Sequence, residues 1–181
     1  VVRLGHADYA SAFVARRGEG APLSSMQGKR VVWIDPYSVA GYLLPTAHLR
    51  ERGLDAAQVF RLVGFAGCYR AALEAVRDGK ADITCVHAHP DDPEAVKRAI
   101  MVHFPDATDI FDVVEVTAAT PSDAVIARSD DDVLNGKLKK ALLGLGASGD
   151  GKQLLDELFL AERFVAAKPG VYRALHRVAP R

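Results

Sequence analysis

Strand-like and helix-like segments alternate along this chain from Tyr9 to Ala118, which dictates an α/β fold with a mostly parallel sheet flanked by helices. Tyr9 to Arg16 reads as a strand, and the Gly/Ser/Pro-bearing stretch from Gly18 to Ser25 as a loop. Arg30 to Asp35 is a short apolar run ending in a charge, as buried strands do. Tyr42 to Arg52 carries Leu43, Leu44, Ala47 and His48 at helical spacing, with Gly53 as its stop. The pattern then predicts a strand over Val59 to Ala66 and an amphipathic helix over Tyr69 to Asp78. A strand over Asp82 to His87, a helix over Pro93 to His103 and a Val-rich strand over Phe111 to Ala118 come next. Val125 to Arg128 reads as a further short strand. Val133 to Leu145 and Gly151 to Leu160 read as helices broken by Gly146 to Gly149, and Phe164 to Arg181 carries no clear pattern.

The 181 residues suffice for one domain or two small lobes. At 49% hydrophobic and 25% charged, the chain has the material for a core and is not disordered over most of its length. Lys+Arg and Asp+Glu both number 23, so the net charge is zero. That balance removes the basic footprint of a nucleic-acid binder and of a polybasic membrane patch. No apolar run approaches the ~20 residues of a spanning helix. No signal peptide is read, but the chain begins at Val1 rather than Met, so the compartment stays open. Two cysteines, Cys68 and Cys85, are too few for a disulfide scaffold. They are either buried thiols, the expected case, or one bridge.

Two strand-to-helix junctions carry the chemistry. In Asp35 to Pro45 (DPYSVAGYLLP), a strand ends, the chain turns, and a helix begins near Ser38 to Tyr42. Ser38 suits an N-cap, and Gly41 permits a close approach. One reading is a capped helix and nothing more. The other is an anion-binding helix end. The second junction, Phe65 to Tyr69 (FAGCY), turns at Gly67 and leaves the N–H groups of Cys68 and Tyr69 at a helix start. On adjacent parallel strands, two such junctions open on the same carboxyl edge, where α/β sheets bind ligands.

Other chemistries find less support. Cys85, His87 and His89 share one face of a strand, Asp91 and Asp92 come directly after, and His103, Asp106 and Asp109 lie further on. Imidazole and carboxylate suit zinc or iron, yet no second ligand pair at the right spacing is present. The alternative is a strand end leading into a polar turn through Pro90 and Pro93. GDGK at Gly149 to Lys152 is too short for a phosphate loop, and there is no GxSxG nucleophile elbow.

The run through Gly28, Lys29, Val31, Asp35, Pro36, Ser38, Gly41, Tyr42 and Pro45 resembles the phosphate/phosphite/phosphonate-type substrate-binding proteins of ABC transporters, which have the type II periplasmic binding fold. The resemblance continues through Phe60, Phe65, Gly67 and Ala72 to Asp82. It reaches TPSD at Thr120 to Asp123, similar to the return crossing between lobes, and the helices of Leu138 to Phe164. It implies a second lobe over 18–118, with 1–17 and 119–181 as a partial first lobe whose opening βαβ segment is absent. It also implies a ligand site at Tyr9, Tyr37, Ser38, Val39, Ala40, Cys68, Tyr69, His89 and Asp123. Here the family's Ser-Thr-Ser is Ser38, Val39, Ala40, and its Ser-His is Cys68, Tyr69. A carboxylate that holds an amine in some members falls at about His89. Each lost hydroxyl removes a charge-assisted hydrogen bond of roughly 1.5–3 kcal/mol. The resemblance therefore implies weakened phosphonate binding, and a less charged ligand, a more aromatic one, or none.

The expectation is a periplasmic or extracytoplasmic solute-binding domain and not an enzyme, for a small anionic or polar ligand and with no cofactor. Its partner is a membrane permease or a fused sensor module, with no nucleic acid and no membrane span of its own. The alternatives are a metal-dependent enzyme using His87 and His89, and a truncated domain without ligand function.

Overall fold

A computed structural model of the protein describes residues 1–105, 109–128, 130–168 and 170–177, so the candidate Asp106 lies outside the described residues. The chain divides into two units. The larger holds Tyr9–Ala119 and the described residues from Ala174 onward, and the smaller holds Val1–Asp8 with Thr120–Arg173.

In the larger unit, strands β1 (Asp8–Arg16), β2 (Arg30–Trp33), β3 (Arg61–Phe65), β4 (Ile83–Ala88) and β5 (Phe111–Val116) lie in the order β3-β2-β4-β1-β5. β2 pairs in parallel with β3 and β4, while β1 runs antiparallel to both β4 and β5. The α/β sheet is thus as expected, with four strands in one direction and β1 reversed. Residues 9–16, which the sequence reading grouped with 119–181, form this reversed strand inside the larger unit. A strand with neighbours on both sides and cover on both faces needs small or apolar side chains throughout. β1 meets that demand, with Ala10 to Ala15 fully buried.

Helices cover both faces. Helices α3 (Tyr69–Arg77) and α4 (Glu94–Met101) set Ala72, Leu73, Val76, Val96 and Ile100 against Ala10, Ala12, Val14, Val86 and Ala88. On the opposite face, Phe13, Val31, Trp33, Ile83 and Cys85 pack with Leu23, Met26, Leu49, Val59 and Phe60. These come from a 3-10 turn (Leu23–Ser25) with the residue after it, helix α1 (Leu44–Glu51), and helix α2 (Ala56–Val59) with the residue after it. α2 was not expected. The Asp55 carboxylate accepts from the Ala57 N–H at 2.9 Å and caps it, so Val59 belongs to a helix and the strand begins at Arg61.

The smaller unit contains a two-residue strand β6 (Thr120–Pro121) and helices α5 (Asp132–Leu145) and α6 (Gly149–Phe159). Val2 exchanges backbone hydrogen bonds of 2.9 Å with Arg163 and Glu162, and Leu155 is fully buried. Val125 to Arg128 forms no strand. Its backbone has no ladder partner among the described residues, and Ile126 is 92% exposed. No helix among the described residues is long and apolar enough to cross a membrane.

Candidate functional site

The C-terminal ends of β2, β3 and β4 and the start of β1 share one edge of the sheet in the larger unit. At the end of β2, the Asp35 carboxylate accepts from the Tyr37 N–H at 2.8 Å, and the Ser38 N–H donates to the Asp35 carbonyl at 3.2 Å. This Asx turn leaves Tyr37 88% exposed. Ser38 is an N-cap as read, its hydroxyl accepting from the Gly41 N–H at 3.1 Å. Ser38 leads into a π-helical turn (Val39–Leu43) rather than an α-helix, and α1 begins only at Leu44. Such i→i+5 turns are rare and concentrate at functional sites. Ala40 is buried and Val39 half-buried, so at these positions only the backbone offers polar groups.

At the second junction, the Ala66 and Gly67 N–H groups donate to the Trp33 and Ile34 carbonyls at 2.9 and 2.8 Å, which extends the β2–β3 pairing past β3. Gly67 then takes φ +82°, a value that favours glycine. Cys68 is the N-cap of α3 and makes no side-chain capping bond. It is an exposed free thiol, contrary to expectation, whereas Cys85 is free and buried as expected. The two junctions follow neighbouring parallel strands, β2 and β3. Burial pushes the Tyr69 phenol above its ordinary pKa, and a hydrogen bond with Ser38 pulls it the other way. The Tyr69 ring stacks on His103 at 5.8 Å, and Tyr42 stands edge-on to Trp33 and Phe65 at 5.6 and 5.2 Å. Ring contacts like these fix an aromatic wall beside the two junctions.

The β4 end adds His87, exposed and stacked on Tyr9 with ring centres 5.1 Å apart. His89 is buried, and its Nδ1 accepts from the Asp91 N–H at 3.2 Å, which places the ring proton of the neutral form on Nε2. Asp92 accepts from the Glu94 N–H at 3.1 Å and pairs with Arg98, so it is engaged at the start of α4. Cys85 sits in the core, where burial raises its thiol well above the usual value. Asp109 lies 3.6 Å from the Arg17 guanidinium. Cys85, His87 and His89, with Asp91 and Asp92, form no cluster of three ligand atoms among the described residues.

Asp123 lies in the smaller unit. Arg3 donates to its carboxylate at 2.7 Å, to the Ser122 hydroxyl at 3.0 Å and to the Phe159 carbonyl at 3.1 Å. The Tyr172 hydroxyl donates to the Ser122 carbonyl at 2.9 Å. The structure thus brings Tyr9, Ser38, Val39, Ala40, Cys68, Tyr69 and His89 to one edge of the larger unit, with Tyr37 turned to solvent, while Asp123 lies in the smaller unit, held by Arg3. Sequence reasoning missed Arg3 and His87 as the partner of Tyr9. Both connect residues far apart in the chain.

Known structures resemble this arrangement. A Xanthomonas citri protein bound to ATP matches 97% of this chain and 66% of its own length, at 22% identity and a TM-score of 0.78. A binding-protein component of an ABC phosphonate transporter from Pseudomonas aeruginosa matches 98% of this chain and 59% of its own, at 19% identity and a TM-score of 0.73. PhnD1 from Prochlorococcus marinus, in complex with methylphosphonate, matches 94% and 65%, at 21% identity and a TM-score of 0.72. At such identities the likeness concerns the fold, and the chain spans about three-fifths to two-thirds of the length of these structures. A search of the curated proteins found no match. Residues 1–172 match the family described as ABC transporter, phosphonate, periplasmic substrate-binding protein, and the chain belongs to that family.

Proposed function

We propose that this chain binds a small anionic solute of the phosphonate or phosphate class for ABC-type uptake, at the sheet edge formed by Ser38, Val39, Ala40, Cys68 and Tyr69. Tyr9, Tyr37 and His89 line that edge in this reading, and Asp123, already held by Arg3, is given no part in it. The placing of two helix starts, at Ser38 and at Cys68, after the adjacent parallel strands β2 and β3 carries the proposal, because it gathers their backbone N–H groups at one edge of the sheet. The start of α3, with no side chain capping it, favours negative charge through its N–H groups and dipole. The family supports a transport role rather than catalysis, with a permease as partner and the periplasm as location. Methylphosphonate on the Prochlorococcus protein and ATP on the Xanthomonas protein are both phosphorus oxyanions, which supports the ligand class.

Thermal unfolding against methylphosphonate, inorganic phosphate, ATP and sulfate tests this. A ligand that binds only the folded state at a hundredfold excess over Kd adds about 2.7 kcal/mol of stability. The shift should be largest for one phosphorus oxyanion and should shrink in Ser38→Ala and Tyr69→Phe. No shift with any of the four compounds would overturn the proposal.

A further inference from the structure

The π turn contains an unusual set of hydrogen bonds. In an i→i+5 turn, each carbonyl accepts from the N–H five residues on. The Ser38 carbonyl accepts from the Leu43 N–H at 3.0 Å, and the Val39 carbonyl accepts from the Leu44 N–H. Next in register is the Ala40 carbonyl, whose donor would be residue 45. Residue 45 is proline, which has no N–H. The carbonyl is served instead from another strand, since the Ser11 hydroxyl on β1 donates to it at 2.5 Å. The next two carbonyls also find partners outside the turn's own register. Gly41 accepts from the Ile34 N–H at 3.3 Å, and Tyr42 from the Thr46 hydroxyl at 2.9 Å.

Ser11 is itself fixed. It is fully buried, its N–H donates to the Thr117 hydroxyl at 3.0 Å, and its carbonyl accepts from the Thr117 N–H at 2.8 Å. Its hydroxyl therefore reaches the turn from a rigid strand, at a buried carbonyl that would otherwise be left without a donor.

We infer that Ser11 is a positioning residue for the ligand edge, its hydroxyl supplying the hydrogen bond that Pro45 withholds from the π turn. The functional half of the inference rests on the proposed function, because the turn it holds is the one carrying Ser38 to Gly41. The structural half rests on geometry alone.

The test is a double-mutant cycle of Ser11→Ala and Pro45→Ala. Alanine at 45 restores an N–H where the carbonyls lack one. Amide exchange at Leu43 and Leu44, measured against Val86 on β4 as reference, should speed up about tenfold in Ser11→Ala, the effect of one lost buried hydrogen bond. The double variant should return toward the native rate, while Pro45→Ala alone changes little. Native exchange in Ser11→Ala, or a double variant no slower than Ser11→Ala, overturns the inference. Should Ser11→Ala not fold, Ser11→Cys, close in size with a weaker donor, is read in the same way.

Methylphosphonate and inorganic phosphate affinities, measured by calorimetry on the same four proteins, should fall about tenfold in Ser11→Ala and recover in the double variant. If exchange responds and affinity does not, Ser11 holds the turn but does not position the site, and the inference as stated fails. If the native chain binds neither probe, the proposed ligand edge fails and takes the functional half with it, while the exchange rates still decide the structural half.

Discussion

Gly41 has no room for a side chain. A Cβ there would lie 2.5 Å from the Ile34 Cβ and closer still to its Cγ1, because the π turn folds directly back onto the residue after β2. Ile34 is itself buried and cannot swing into solvent. Gly41→Ala should therefore destabilise the chain by about 1–3 kcal/mol, the usual cost of overpacking a closed site. The loss is to be measured by denaturant unfolding. Adding Ile34→Gly removes both the Cβ and the Cγ1 that the new methyl would meet, so the two substitutions together should cost less than the sum of their separate effects. If they simply add, the close approach is not what demands glycine. His89 makes a related point about reading side chains one at a time. By sequence it was a candidate ligand on an alternating face, but its Nδ1 is occupied by the Asp91 N–H, which spacing does not reveal.

Among the elements, the start of β2 is tied to the start of β4 by one carboxylate. Asp82 accepts from the Arg30 guanidinium at 2.6 and 3.1 Å and from the Arg30 N–H at 2.7 Å. The Asp82 N–H returns a bond of 2.8 Å to the Arg30 carbonyl. The guanidinium holds the Asp82 carboxyl below its ordinary pKa, so the folded chain binds this proton less readily than the unfolded one. The stabilisation is fully present above the ordinary carboxylate value and is lost as pH falls through the depressed one. Asp82→Asn should cost about 1–3 kcal/mol at neutral pH. Stability measured against pH should show that difference shrinking as pH falls below the ordinary carboxylate value, and a constant difference would contradict the assignment. Such long-range ties mark where sequence reading stopped. Both strand-to-helix junctions, the Ser38 cap and the helix at Tyr69 were legible, because capping and turn chemistry are local. The π turn was not, since Leu43, Leu44, Ala47 and His48 have the same spacing whichever way the helix begins. α2, at four residues, is too short for any periodicity. Val125 and Ile126 have the composition of a strand, but a strand also needs a partner. The reversal of β1 leaves no trace in the alternation of its residues.

Across the whole molecule, protection from solvent is uneven. β1 is buried from Ala10 to Ala15, while α5, over its 14 residues, buries none. Leu134, Leu138, Ala141 and Leu145 fall three or four residues apart, the stripe of a helix built to face a core. Yet Leu134 is 59% exposed and Leu138 40%. Helices of this length are marginal in water without tertiary packing, so α5 should open far more often than the sheet. Hydrogen exchange tracked by mass spectrometry on dilute protein should find α5 amides exchanging at least ~100-fold faster than those of β1. If α5 proves as protected as β1, something covers its stripe, and dilution then separates the causes. Protection that falls with dilution means that chains cover one another. Protection that does not fall means that the stripe is shielded within a single chain, and the exposure of Leu134 and Leu138 would be wrong.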